Sequence, residues 1–500
     1  MKKSWLIAII VAYILVRIYI ASLSSFSFFQ GGNEGHYSLI AKGYFDHSLF
    51  IQGRGGGITW SVPPFYSWVL FASFKLIGIS DISGRLLSII TTLFTVPFIY
   101  LIAKEIYKDT SIASLSVVIF LLIPWVVHLS GRIQTDMLMT SLMTASIACF
   151  LYAYNHKTSF YPFGIFFGLA LFTKQPSILI LVIVTIWMLL VVNKNERIES
   201  IKKISIPVLI GFVPILVYMS YHILNGETQG VVQLFYGEGA YRMVLFSNFM
   251  NTLGGIIIGI SPLVLFFAFY EIYKLWNLKN ILFIWIIIYG LFVIARTPVS
   301  HEYYIIPLSI PFAILAAKGI FNFKDSFRLE KKTGTLLLLL VILSTIPISY
   351  VFLTYTGDLG YVSTKEVSNY MNEDMAKNPE EKYLIILHRR YESQLKWYMN
   401  LTKNQTGDIG NDLTDVSVND IEKIANSSNA TKIFLIIDGR GGLEDRLDKA
   451  GYRRSYISYY QTNLPSLFSK IYTGEESKSP YFEQHLSIYE LNIWGILLYR

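Results

Sequence analysis

Long stretches that carry almost no charge constrain this chain more than any motif does. Of its 76 Asp, Glu, Lys and Arg residues, 39 fall in 1–350 and 37 in 351–500. The first part is therefore about 11% charged and the second about 25%, the latter being the value of ordinary globular domains. With 53% hydrophobic residues and a mean hydropathy of +0.46, a wholly soluble chain and a disordered one are both excluded. The expected architecture is a polytopic α-helical membrane domain over 1–353, followed by a soluble α/β domain over 354–500.

A span needs ~20 mostly apolar residues. The first runs from Trp5 to Ser22 behind Lys2 and Lys3, with no small-residue cleavage site after it, so it reads as an uncleaved anchor. Ten more lie near Leu86–Ala103, Ser111–Ser130, Met137–Tyr154, Phe160–Thr173, Ser177–Val192, Ile204–Tyr221, Met250–Tyr273, Ile281–Ala295, Tyr303–Phe321 and Thr335–Leu353. The expected count is thus about eleven, with Phe65–Ile79 left as a short interfacial segment.

Lysine and arginine bias orients such a bundle. A cytoplasmic N-terminus puts Lys104, Lys108, Lys157, Lys194, Arg197, Lys202 and Lys203 in inner loops, then Lys274, Lys279 and the Lys318–Lys332 group. Outer loops keep mostly single cations: Arg132, Lys174, Arg242 and Arg296. The charged tail then lies outside the cell membrane, and so do all the Asn-x-Ser/Thr sequons, Asn400, Asn404, Asn426 and Asn429. The net charge of +8 serves this orientation and gives no nucleic-acid footprint, which needs a basic stripe on a soluble face. Cys149, the lone cysteine, excludes an internal disulfide framework and a multi-cysteine zinc site.

Ionisable residues beside apolar spans are the default functional candidates. They gather in the outer loops. The first loop, 24–83, holds Asn33-Glu34-Gly35-His36-Tyr37, Arg54, the glycine run Gly55–Gly57 and Val62-Pro63-Pro64-Phe65-Tyr66. Later loops hold Arg132 and Asp136, four residues apart and on one face if a helix begins there; Thr173-Lys174-Gln175-Pro176; and Arg296, His301, Glu302 and Tyr303. Carboxylates and cations facing one compartment suit an anionic substrate with acid/base chemistry. Each also has a plainer reading: a helix-end ion pair for Arg132–Asp136, a snorkelling Lys174, interfacial histidines at His36 and His301.

The order of these segments resembles that of the GT-C glycosyltransferases, in particular the dolichyl-phosphate-mannose protein mannosyltransferases and the lipid A aminoarabinose transferases. Asn33-Glu34-x-His36-Tyr37 is similar to their Asp-Glu-x-His motif. Pro63-Pro64-Phe65-Tyr66-Ser67-Trp68, continuing through Phe74-Lys75-Leu76-Ile77-Gly78 to Arg85-Leu86, resembles their Pro-Pro-Leu-Tyr-x-Trp block. Thr135-Asp136-Met137, Phe172–Pro176 and His301-Glu302-Tyr303-Tyr304-Ile305-Ile306-Pro307 follow in family order, so the resemblance covers roughly 1–350. Compositional bias toward Ile, Lys and Tyr, with the clustered sequons, points to an archaeal source.

The resemblance implies transfer of a sugar from a polyprenyl-phosphate donor to a protein, lipid or glycan acceptor on the outer face, within membrane lipid. Lys174, Arg132 and Arg296 would bind the donor phosphate; Glu34 would take the acceptor's proton, with Asn33 and Asp136 beside the chemistry. His36, Tyr37, His301 and Glu302 are the substrate or metal candidates, a divalent metal ion being the one cofactor implied. Three positions, at two places in the chain, depart from the family. Its first acid is Asn33 here, and an amide cannot accept that proton; its Glu-Lys pair before the two prolines is Ser61-Val62. The alternative is a non-catalytic carrier, flippase or scaffold for lipid-linked sugars. In the tail, Tyr383–Leu387 and Lys432–Ile437 read as buried strands, with helices near Arg390–Met399 and Val418–Ala425. Asp438-Gly439-Arg440-Gly441-Gly442 reads as a strand-to-helix turn.

Overall fold

The computed structural model describes residues 3–23, 26, 33–46, 62–226, 245–275, 279–296, 302–328, 331–355, 363–387, 389–399, 406–408, 431–438, 468–473 and 486–491. The chain forms two compact units. One comprises Met1–Tyr19 and Tyr44–Phe352; the other, Ile20–Gly43 and Leu353–Arg500.

The first unit is built of helices, with no strand among its described residues. It contains most of α1 (Lys3–Leu23), then α3 (Phe65–Ile77), α4 (Asp81–Tyr107), α5 (Thr110–Leu122), α6 (Pro124–Leu129), α7 (Thr135–His156), α8 (Tyr161–Thr173), α9 (Leu179–Val191) and α10 (Lys194–Leu224). After these come α11 (Leu245–Ile260), α12 (Pro262–Leu275), α13 (Ile281–Arg296), α14 (Ser309–Ser326) and α15 (Lys331–Tyr355); α2 (Asn33–Gly43) belongs to the second unit. Ser80 caps α4 by accepting from Ser83 N, and Asp109 caps α5 by accepting from Ser111 N at 2.6 Å.

Among the described residues five helices are long and apolar enough to cross a membrane: Ser4–Leu23, α4, α7, α10 and Tyr303–Ser326. The protein is a multi-pass membrane protein. Two of the expected continuous runs are broken. Thr252–Ile260 and Pro262–Lys274 meet at 101° about Ser261, whose φ is 87°, and the 111–130 run divides at Ile123-Pro124. In both, a proline lacks the N–H that would continue the ladder. The expected spans at 160–173, 177–192 and 281–295 are apolar helices of 10–17 residues.

Helix pairs in such a unit associate through close packing and hydrogen bonds, since lipid removes the hydrophobic drive between them. Helices α4 and α7, which run parallel, show the second device. Ser141 Oγ donates to Thr91 O at 2.6 Å and shares a hydrogen bond with Thr95 Oγ1 at 2.6 Å, while Ser88 Oγ donates to Arg132 O. At the far end Glu105 accepts from Lys108 Nζ at 2.7 Å and Asn155 Nδ2 at 2.8 Å, and pairs with His156 Nε2 at 3.0 Å. The α8–α10 crossing shows the first device: a Cβ added at Gly211 would lie 2.6 Å from Gly164 O, and one at Gly168 would strike Gly211. Backbone meets backbone there, and only glycine permits it.

The second unit holds α2, α16 (Ser363–Lys377), α17 (Arg389–Tyr398) and five strands: β1 (Tyr383–Leu387), β2 (Thr406–Asp408), β3 (Lys432–Asp438), β4 (Phe468–Thr473) and β5 (Leu486–Leu491). They form a mixed sheet in the order β2-β1-β3-β5-β4, parallel across β2-β1-β3 and antiparallel beyond. Both apolar runs of the tail are thus central strands. The expected helix near 418–425, all four sequon asparagines and 439–442 lie outside the described residues. Tyr383 donates to Asp374 Oδ2 at 2.9 Å, and burial together with that carboxylate pushes its phenol up to about 12.

Gly168→Leu should overpack the α8–α10 crossing and destabilise the protein by about 1–3 kcal/mol in detergent thermal unfolding. Gly290→Ala, where an added Cβ meets nothing within 4 Å, should leave the melting temperature unchanged or raised. Because the folded Tyr383 phenol lies above the ordinary value of about 10, its contribution is full below pH ~10 and is lost as pH rises through about 12. Tyr383→Phe should remove that part of the alkaline loss, read by circular dichroism against pH.

Candidate active site

Two helix ends in the first unit bring opposite charges together. Helix α7 begins at Thr135, so Asp136 lies in its first turn, where the positive end of the helix dipole favours a carboxylate. Helix α8 ends at Thr173 because Pro176 cannot extend it. Lys174 turns extended (φ −161°, ψ 136°), and a 3-10 turn over Gln175–Ile178 follows. Ala170 O accepts from both Lys174 N at 3.0 Å and Ser177 Oγ at 2.9 Å, which fixes this exit.

Lys174 Nζ donates to Asp136 Oδ1 at 2.7 Å and Oδ2 at 2.9 Å, and Thr135 Oγ1 donates to Oδ2 at 3.3 Å. Lys174 is 6% exposed and Asp136 1%. A third segment covers the pair: the 3-10 turn Glu302–Leu308 places Tyr303 and Tyr304 so that Nζ lies 4.7 and 4.6 Å from their ring centroids. Two aromatic faces and a bidentate carboxylate thus hold one ammonium group. The proline-aromatic block approaches the same exit, since Trp68 and Phe65 on α3 contact the Phe172 ring at 5.2 and 6.2 Å. Four segments singled out in the sequence, at 65–68, 135–136, 172–174 and 303–304, therefore converge in one unit.

Arg132 is fully buried but precedes α7, so the four-residue spacing to Asp136 does not make a helical pair. The helix starts three residues later than a helical pairing requires, and Lys174 pairs with the carboxylate. Arg296 ends α13 and Glu302 opens the 3-10 turn; their side chains, and His301 altogether, lie outside the described residues, as do Arg54 and Gly55–Gly57. Among the described residues no three His, Cys, Asp or Glu side chains come together as a metal cage.

Glu34, His36 and Tyr37 belong to the second unit. They are buried on α2, with Glu34 3% exposed in the first turn and Asn33 half-buried before it. The His36 and Tyr37 rings lie 5.3 Å apart. At Gly35 an added Cβ would stand 2.7 Å from Ser393 C and 2.8 Å from Gln394 N, so α2 meets the backbone of α17. Phe26 completes this contact: its N–H donates to Tyr398 Oη at 2.8 Å and its ring lies 5.4 Å from Trp397.

Hydropathy does not reveal every buried charge. Arg17 on α1 is 1% exposed, and its Nη2 donates to His128 O at 3.4 Å. One turn earlier, Tyr13 Oη donates to Ser130 Oγ at 2.7 Å. The otherwise lipid-type first helix thereby grips the turn that leads into Arg132 and α7. The sequence signal for it is a lone arginine inside an apolar span.

Lys174→Met should destabilise the protein by ~3–5 kcal/mol, because it leaves a buried carboxylate without its cation. Asp136→Leu combined with Lys174→Met should recover most of that loss in thermal unfolding, since an apolar pair needs no compensation.

Residues 61–224 match the family of dolichyl-phosphate-mannose-protein mannosyltransferases. Among curated proteins none matches in sequence. The fold is similar to that of ArnT from Cupriavidus metallidurans in the apo state, with TM-score 0.65 and 14% identity over 97% of this chain and 98% of that one. The same enzyme bound to undecaprenyl phosphate gives 0.65, with 12% identity over 98% of each chain. The oligosaccharyltransferase AglB from Archaeoglobus fulgidus, in complex with an inhibitory peptide and a dolichol-phosphate, gives 0.57 and 15% identity over 99% of this chain and 75% of that one. The family match runs from α3 through α10, and the likeness to these solved structures is one of fold, shared over nearly the whole length of this chain.

Proposed function

We propose that the protein is a glycosyltransferase that moves a sugar from a polyprenyl-phosphate carrier to a protein, lipid or glycan acceptor on the outer face of the cell membrane. The observation that carries this reading is the buried Lys174 ammonium, held by Asp136 and two tyrosine faces within a membrane-spanning unit. Its fold neighbours were solved with undecaprenyl phosphate and with dolichol-phosphate, carriers of the same class. The bond that breaks joins the sugar's anomeric carbon to a phosphate oxygen. Negative charge grows on the departing lipid phosphate, and a fixed cation in a site of low dielectric stabilises it far more than water would. Lys174 has this role, with Arg132 and Arg296 as further cations; Asp136 holds the ammonium in place.

The incoming acceptor must lose a proton. Glu34 is assigned that proton, because the neighbouring Asn33 is an amide and has no basic carboxylate. The N-terminus is placed in the cytoplasm by the lysine and arginine bias, and the second unit outside the cell.

Glu34→Gln should lower transfer from a labelled polyprenyl-phosphate sugar by about 10²–10⁴-fold in membranes bearing the protein, with donor binding unchanged. Transfer by that variant at the wild-type rate would remove Glu34 from the role. One observation favours a non-catalytic carrier or scaffold, namely Asn33 in place of the family's first acid. That reading requires the natural protein to lack transfer activity and Asn33→Asp to switch it on.

A further inference from the structure

Gln134 stands at the N-cap of α7, between Arg132 and Asp136, with extended backbone (φ −153°, ψ 144°). A helix start ordinarily carries Ser, Thr, Asp or Asn there, whose short side chain closes an orphan N–H. Glutamine is one methylene longer than asparagine, and its side chain caps nothing. It is also 1% exposed, and among the described residues neither Oε1 nor Nε2 has a hydrogen-bond partner. A buried primary amide open at both ends opposes folding unless a ligand or an ordered water satisfies it.

Its chemistry narrows what it meets. The amide is neutral and offers a donor and an acceptor side by side. A phosphate oxygen would satisfy Nε2 and leave Oε1 facing negative charge, while a polyprenyl chain would satisfy neither. Two neighbouring hydroxyls satisfy both, one accepting from Nε2 and the other donating to Oε1. Other elements of the site carry side chains of the same kind: Thr140 on α7 and Ser309, directly after the 3-10 turn of Tyr303 and Tyr304, are fully buried hydroxyls with no partner among the described residues. We propose that Gln134 recognises the sugar of the lipid-linked donor through a pair of its hydroxyls, and so sets which sugar is accepted. The division of labour is then by charge, with cations for the carrier phosphate and neutral amide and hydroxyl groups for the glycosyl ring. The assignment rests on the glycosyltransferase reading above.

The test uses the full chain in lipid nanodiscs with a panel of polyprenyl-phosphate hexoses and their single-deoxy analogues, comparing wild type with Gln134→Leu. The wild type should discriminate against one deoxy donor by on the order of 10²-fold or more in kcat/KM, as a site built around a hydroxyl does. Gln134→Leu should lose that preference and melt at an equal or higher temperature, because no bond within the protein is lost. Gln134→Met, unbranched, takes its place if leucine does not fit. Retained discrimination in the variant overturns the assignment, and so does a lowered melting temperature in both variants, which would reveal a structural role. Failure of the wild type to turn over any donor counts against the glycosyltransferase reading instead. The same comparison made by equilibrium binding of the panel then decides the role of Gln134.

Discussion

The buried Asp136–Lys174 pair is the interaction on which the rest of the first unit depends. Removing two charges from water costs several kcal/mol per ion, and the pair recovers this only with close geometry and further partners. The chain supplies both. Two carboxylate oxygens lie within 2.9 Å of Nζ, Thr135 donates to one of them, and two tyrosine rings face the ammonium. Each partner requires its own segment to stop or start at a given residue. Helix α8 must end at Thr173, α7 must begin at Thr135, and the 3-10 turn must lie over both.

The surrounding helices keep those endpoints in register. Hydroxyls join α4 to α7 along their length, and the Glu105 cluster ties their far ends, so the start of α7 cannot slide. Helix α8 is held along its glycine face against α10, where backbone contact leaves no play. Arg17 and Tyr13 brace the turn before α7 from α1. A site of this kind resists solvent because its charges are satisfied before any ligand arrives. Under the proposed function a donor phosphate would enter a field already arranged, which is the sense in which preorganised electrostatics aid group transfer.

Much of this was legible in the sequence. Apolar runs mark the membrane unit, sparse charges outside those runs mark Asp136 and Lys174, and the Tyr303-Tyr304 pair stands in a segment that carries the family resemblance. The resemblance to protein mannosyltransferases rested on the same segments. The Asp136–Lys174 pair is not legible in the sequence: a four-residue spacing points to Arg132, but spacing makes a helical pair only where both residues are helical. Arg17 was passed over because hydropathy averages a window, and one arginine among many apolar residues barely changes the mean. The breaks at Ser261 and Ile123 were hidden for the same reason, although the prolines that cause them stand in plain view.

The sequence by itself determined the membrane class, the apolar helices of the first unit and the two strands β1 and β3 of the tail, because these follow from local hydropathy and periodicity. It also determined which charged residues had no business beside apolar spans. Only the tertiary structure decided which charges meet. Lys174 is 38 residues from Asp136, and Tyr303 is well over a hundred from either. It likewise decided that α2, with Glu34, packs on α17 of the tail, through a glycine whose meaning appears only when another backbone lies against it. Periodicity is a property of neighbours along the chain. Charge pairing and close approach are properties of neighbours in space, and nothing local encodes them.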